Sequence, residues 1–75
     1  MQEGEQVAVR LRVYPNPARD LVMAVGFKGK ATIVDILGRV IATINAREPV
    51  DVATLPRGLY IVRAGGQVAT FVLIE

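Results

Sequence analysis

Apolar and polar side chains alternate with a period of two along most of this chain. Val7, Val9, Leu11 and Val13 fall on one side of an extended segment, and Ala8, Arg10, Arg12 and Tyr14 on the other. That is the pattern of a half-buried strand over Val7 to Tyr14. Pro15-Asn16-Pro17 ends it, because each proline lacks an N–H and pushes the residue before it toward extended geometry. Asp20 leads into Leu21 to Gly26, where Leu21, Met23 and Val25 share a face. Gly26 and Gly29, with Lys28 and Lys30, read as a turn. Two β-branched runs follow, Ala31 to Ile36 and Val40 to Ile44. They flank a compact hairpin connection, Asp35-Ile36-Leu37-Gly38-Arg39, in which Gly38 is expected to supply a positive φ. Asn45 to Glu48 is a polar loop closed by Pro49.

Val50 and Val52 begin a short strand ending near Leu55, and Pro56-Arg57-Gly58 has the composition of a turn. Gly58 to Ala64 and Gln67 to Ile74 are the last two strands, with Gly65-Gly66 as the two-residue turn between them. About seven short strands with regular turn signals predict an all-β antiparallel sandwich or barrel. No stretch has a capped helical pattern of useful length. Residues 7–75 are therefore expected to form one domain. Met1 to Gln6 is expected to be the flexible end of a linker from a preceding domain.

Composition narrows the chemistry. The 75 residues include no Cys, His, Trp or Ser. Thiol and serine nucleophiles, histidine bases, thiolate or imidazole zinc sites and disulfides are all excluded within the chain. The carboxylates Asp20, Asp35 and Asp51 are spread along the sequence. A domain this small has little room for the cleft a glycosidase pair needs. No Asp-rich loop gathers the oxygen ligands of a calcium site. No cofactor and no catalytic or metal site is expected. Asp20 and Asp35 are better explained as turn residues bonding nearby backbone N–H groups.

Mean hydropathy is high, +0.40, but the apolar runs break well short of the roughly 20 residues of a spanning helix. MQEGEQ lacks the basic and apolar regions of a signal peptide. The protein is therefore either cytosolic or a piece of a longer exported chain. The net charge of +2 comes mainly from arginines spread along the chain rather than clustered, so the charge points to no nucleic-acid partner.

Three motifs carry a resemblance: Tyr14-Pro15-Asn16-Pro17-Ala18-Arg19-Asp20, Asp35-Ile36-Leu37-Gly38-Arg39-Val40-Ile41, and the run from Leu55-Pro56-Arg57-Gly58-Leu59-Tyr60 to Ala64. In this order, followed by a short last strand, they resemble the C-terminal sorting domain of the type IX (Por) secretion system. The resemblance covers nearly the whole chain from Val13 onward. It implies an immunoglobulin-like sandwich that is a label rather than a catalyst. The implied partners are a covalently joined N-terminal passenger, an outer-membrane translocon of Gram-negative bacteria, and a sortase-like surface protease that typically removes the domain. The implied route runs through the periplasm to the outer membrane, the cell surface or the medium. One departure stands out. Many members end with Lys or Arg in the last strand, whereas this sequence ends Val72-Leu73-Ile74-Glu75. That puts an electrostatic model of recognition in doubt.

Each motif has a structural reading beside the functional one. Pro15, Asn16 and Pro17 are explained as a strand stop. Asp35, Gly38 and Arg39 belong to the hairpin. Leu55, Pro56, Gly58 and Tyr60 read as a tyrosine corner, in which a Tyr near a strand start bonds upstream backbone. The same loop, through Gly58 and Tyr60, is also a candidate translocon contact. In the last strand, Val68, Thr70, Val72 and Ile74 share one face and Ala69, Phe71 and Leu73 the other. Both faces are apolar, as in a strand covered on two sides. The core alone could account for this. Alternatively a partner covers the second face, or pairs with an open edge. The resemblance favours the partner, which makes Val68, Thr70, Phe71, Val72, Leu73, Ile74 and Glu75 candidate recognition residues. A bare apolar strand also admits a weak homodimer. Any cleavage is expected at or before Gln6. The rival reading is a surface-adhesion or carbohydrate-binding sandwich, weakened by having four aromatic residues and no Trp.

Overall fold

The structure, a computed structural model, describes residues 10–75. The expected linker end over residues 1–6 and the start of the first strand, residues 7–9, lie outside the described residues. Seven strands follow in chain order: β1 (Arg12–Tyr14), β2 (Leu21–Val25), β3 (Lys30–Val34), β4 (Val40–Asn45), β5 (Val50–Asp51), β6 (Gly58–Ala64) and β7 (Gln67–Leu73). They form two sheets, ordered β1-β2-β5 and β4-β3-β6-β7, with antiparallel pairing between neighbouring strands. The strands thus form a two-sheet sandwich rather than a closed barrel, with the fourth strand in the sheet of the third, sixth and seventh, in keeping with the immunoglobulin-like sandwich the resemblance implies.

The alternation of side chains decides which face of each sheet is buried. Val22 and Ala24 point inward from the three-stranded sheet, with Leu11 and Val13. They meet Ile33, Tyr60, Val62, Phe71 and Leu73 from the four-stranded sheet. Phe71 and Tyr60 are direct cross-strand partners, and their rings stack with centroids 5.5 Å apart. Burying a phenylalanine ring such as that of Phe71 contributes about 1.5–3 kcal/mol, so this pair anchors the core.

Strand boundaries differ from expectation where a side chain turns the backbone. The first β-branched run stops at Val34, not Ile36, because Asp35 starts the turn. Its Oδ1 accepts from the amides of Leu37 and Arg39, both at 2.9 Å, and the Gly38 amide donates to the Asp35 carbonyl. Gly38 has φ 83°, as the short loop requires. The fifth strand is only Val50–Asp51, because Asp51 Oδ1 accepts from the Ala53 amide and turns the chain. Asp51, and not Asp20, thus fills the second turn role. Asp20 contributes its backbone carbonyl, which accepts from the Val52 amide at 2.7 Å. The last strand ends at Leu73, one residue short of expectation.

The register sorts the loops into two poles. Gly58 lies opposite Leu73, Val34 opposite Ile61, and Leu21 opposite Asp51. The segment from Pro15 to Asp20, the hairpin turn at 35–39, the loop before β6 and the end of β7 therefore share one pole. Arg10, the Gly26–Lys30 turn, the turn after Asn45 and Gly65-Gly66 share the other. There Gln67 ties the sheets together: its Oε1 accepts from the Leu11 amide at 2.9 Å, and its Nε2 donates to the Gly26 carbonyl at 3.2 Å. Gly26, with φ 88°, lets the Arg10 backbone approach so closely that a Cβ there would sit 1.8 Å from the Arg10 carbonyl oxygen.

Candidate recognition site

All three motifs meet at one pole, around the end of β7. The tyrosine corner forms as expected. Tyr60 is buried and its hydroxyl donates to the Pro56 carbonyl, four residues upstream, at 2.5 Å. A second link was not legible in the sequence. The side-chain amide of Asn16 pairs with the edge of β7 as a strand would. Its Nδ2 donates to the Thr70 carbonyl at 3.3 Å, and its Oδ1 accepts from the Val72 amide at 3.0 Å. Ala18 continues the pairing as an isolated parallel bridge to Leu73. Its amide donates to the Val72 carbonyl and its carbonyl accepts from the Ile74 amide, both at 2.8 Å. Asn16 therefore does more than stop a strand.

This arrangement closes the outer edge of β7 from the Thr70 carbonyl to the Ile74 amide. Strand addition to that stretch is blocked in the folded domain, because its donors and acceptors are already paired. The open edge considered for this strand is therefore absent over that stretch.

The electrostatics of the hairpin are also structural. Arg39 Nε donates to Asp35 Oδ2 at 2.7 Å, in the one ion pair found among the described residues. The Asp35 carboxyl is held below its ordinary pKa. The Arg39 amide bond is the main cause, opposed by burial and assisted by the Arg39 side chain and the Leu37 amide. Asp35 is thus a turn anchor and Arg39 its partner. Among the described residues no three acids gather into a metal-binding group.

The candidate contact residues divide by burial. Tyr60, Phe71 and Leu73 are core, with Phe71 fully enclosed at 0% exposure. In the folded domain they shape the site from within the core. Gly58 and Ile74 are half-buried, and Val68, Thr70, Val72 and Glu75 are exposed. On the outer face of the four-stranded sheet, Val72 pairs with Leu59 and Thr70 with Ile61. Ile61 lies opposite Val34, which pairs with Val40. Val34 is buried, so the exposed apolar positions on this face are Val72 and Leu59 on one side of it and Val40 on the other.

The hairpin turn extends this surface. Ile36, Leu37 and Val40 are 70%, 73% and 66% exposed, and with Leu59 they line a shallow groove between the hairpin and the loop before β6. The same face changes character away from the motif pole. Its row there is Thr43, Thr32, Arg63 and Val68. Sequence reasoning missed Ile36, Leu37, Val40 and Leu59 as surface residues. The available signal was two large apolar residues, Ile36 and Leu37, inside a tight turn that normally takes polar ones.

A family model for the secretion system C-terminal sorting domain matches residues 12–72. The chain belongs to this family. The family is a type IX secretion sorting signal, generally non-catalytic, and implies association with that secretion system and with a passenger destined for the cell surface or beyond. No curated protein and no solved structure matches the chain. The matched span contains Asn16, the hairpin turn, the tyrosine corner and nearly all of β7.

Proposed function

We propose that this domain is a non-catalytic label that directs a passenger through the type IX outer-membrane translocon and is read at its motif pole. The observation that carries the reading is the convergence of the three motifs around β7, beside an exposed apolar surface formed by Ile36, Leu37, Val40, Leu59 and Val72. Several large exposed apolar side chains gathered on one side of a small domain favour a partner there. The motif residues themselves are consumed in holding shape. Arg10, toward the N-terminal side where a passenger would join, sits at the opposite pole, so a partner at the motif pole meets no obstruction from it.

In this mechanism the translocon covers the outer face of β6 and β7 and the hairpin tip. Gly58, Ile74 and Glu75 lie at the margin of that contact, with Thr70 and Val72 inside it. Val68 lies at the far end of the strand face. A sortase-like protease then cuts at or before Gln6, outside the described residues, in a segment free of proline.

The test is surface display of a periplasmic reporter fused to residues 7–75 in a strain with the secretion system. Deleting Val68 to Glu75 would remove Phe71 and Leu73 from the core, so lost export would report lost fold. The informative variants are Leu59→Glu and Val72→Glu, each checked for unchanged melting. Reporter retained in the periplasm by these folded variants supports the reading, and undiminished display refutes the face contact. Retention of the parent fusion would refute the label itself.

The carbohydrate-binding rival finds little support. Tyr60 and Phe71 are buried against each other and Phe27 is half-buried, leaving Tyr14 as the one exposed ring. A homodimer through the β7 edge conflicts with the pairing to Asn16 and Ala18. Sedimentation of the parent and of the Leu59→Glu variant tests a homodimer through the apolar face: a dimer lost in the variant supports it, and a monomeric parent refutes it.

A further inference from the structure

The cations that are scattered in sequence are gathered in the fold. Arg12 pairs with Val25 beside Gly26, Lys30 with Asn45, and Arg63 with Val68 next to the last turn. Lys28 and Arg47 line one hollow with Gln67, and Arg10 lies against Gly26. Six of the nine Lys and Arg residues thus sit in the half of the sandwich away from the proline segment, the 35–39 turn and the tyrosine corner, where the one described acid is Glu48. The motif half holds Arg19, Arg39 and Arg57 against Asp20, Asp35, Asp51 and Glu75. The six cations are all exposed. Even if Glu3 and Glu5 both lie against this half, it keeps a positive excess. The motif half has none.

We propose that the basic half docks on a phosphate-bearing lipid surface and orients the domain with its motif pole turned away. The charge is spread around both faces of one end, which suits a broad anionic plane rather than a groove for a single strand. The one exposed ring, Tyr14, lies toward the motif pole, and Phe27, in the hollow with Lys28 and Arg47, is half-buried, so the cations lack the exposed aromatic platforms a nucleic-acid surface would need. The lipid surface fits the route of a domain family exported to the cell surface. Cations near an anionic membrane each add attraction that falls off within a Debye length of roughly 10 Å at 0.1 M salt. A dipolar label held this way presents its apolar motif pole outward, to a protein partner. The inference does not depend on which residues the translocon reads.

The experiment is flotation of the full chain with phosphatidylcholine vesicles, with and without phosphatidylglycerol. Two double variants change net charge equally, K28E/R47E in the basic half and R19E/R57E in the motif half. The expected result is binding only to phosphatidylglycerol vesicles, weakening as salt rises. Each cation removed from the surface should cost about fivefold in partitioning. K28E/R47E should therefore weaken binding by at least about 25-fold, while R19E/R57E changes it by less than about threefold. Circular dichroism melts verify that both variants fold, and the parent's salt titration stands independently of them. Equal losses in the two variants would mean that net charge alone acts, and would overturn the orientation. Absence of binding to anionic vesicles, or displacement by inorganic phosphate at matched ionic strength, would overturn the surface itself.

Discussion

Asn16→Ala isolates the link between the first proline motif and the last strand. The substitution removes two hydrogen bonds, from Nδ2 to the Thr70 carbonyl at 3.3 Å and from the Val72 amide to Oδ1 at 3.0 Å. A net protein hydrogen bond contributes about 0.5–1.5 kcal/mol. Both bonds lie at an exposed edge, where water can replace the lost amide, so the lower half of that range applies to each. The expected loss is about 1–2 kcal/mol. For a domain of this size 1 kcal/mol moves Tm by roughly 4–8 °C, so the midpoint should fall by about 5–15 °C. The assay is a thermal melt followed by circular dichroism, paired with amide exchange. Exchange protection at Val72 should drop by more than the global loss of stability accounts for, because its partner is gone. The Ile74 amide, held by the Ala18 carbonyl, should follow the global value. An unchanged midpoint with unchanged protection at Val72 would refute the clamp and leave Asn16 as a turn former.

The tyrosine corner predicts that Tyr60→Phe lowers stability by about 1 kcal/mol through loss of the bond to Pro56, while the ring stack with Phe71 persists. A denaturant midpoint equal to the parent's would remove the corner. Gly26→Ala places a Cβ against the Arg10 carbonyl at a positive φ, so it should cost well over about 1 kcal/mol in a urea melt, more than the same change at Gly29, where the space is open. Asp35 has a folded pKa below its unfolded value, so its contribution is present above the ordinary carboxylate range and is lost as pH falls through the folded pKa. Asp35→Asn should accordingly be less stable than the parent at neutral pH and flatten the fall of Tm with acid. An identical acid slope in both proteins would contradict this.

The strands and turns were legible because their signals are local. Alternation reports which side chains share a face, and it placed β6 at its observed bounds and β7 within one residue. Gly38 and Gly65 mark turns by φ that other residues resist, and both have it. Tyr60 was recognisable from four residues of its own neighbourhood. The errors were local competitions too: Asp35 and Asp51 captured backbone amides and ended β3 and β5 early.

The candidate site was legible only in part. The sequence identified the two faces of β7, yet could not say that Phe71 is sealed while Val72 stays 40% exposed. Burial depends on what the other sheet places opposite.

The sequence by itself determined about seven short strands, the absence of thiol and imidazole groups, and the three motifs of the sorting-domain family. The tertiary structure alone decided that Asn16 and Ala18 close the edge of β7, that Gln67 joins the sheets, and that the cations collect at one end. The reason is separation along the chain. Asn16 and Val72 are 56 residues apart, as are Leu11 and Gln67. No periodicity or turn preference reaches across that distance. Sheet order and register bring such residues together, and in doing so turn evenly scattered arginines into a polarised molecule.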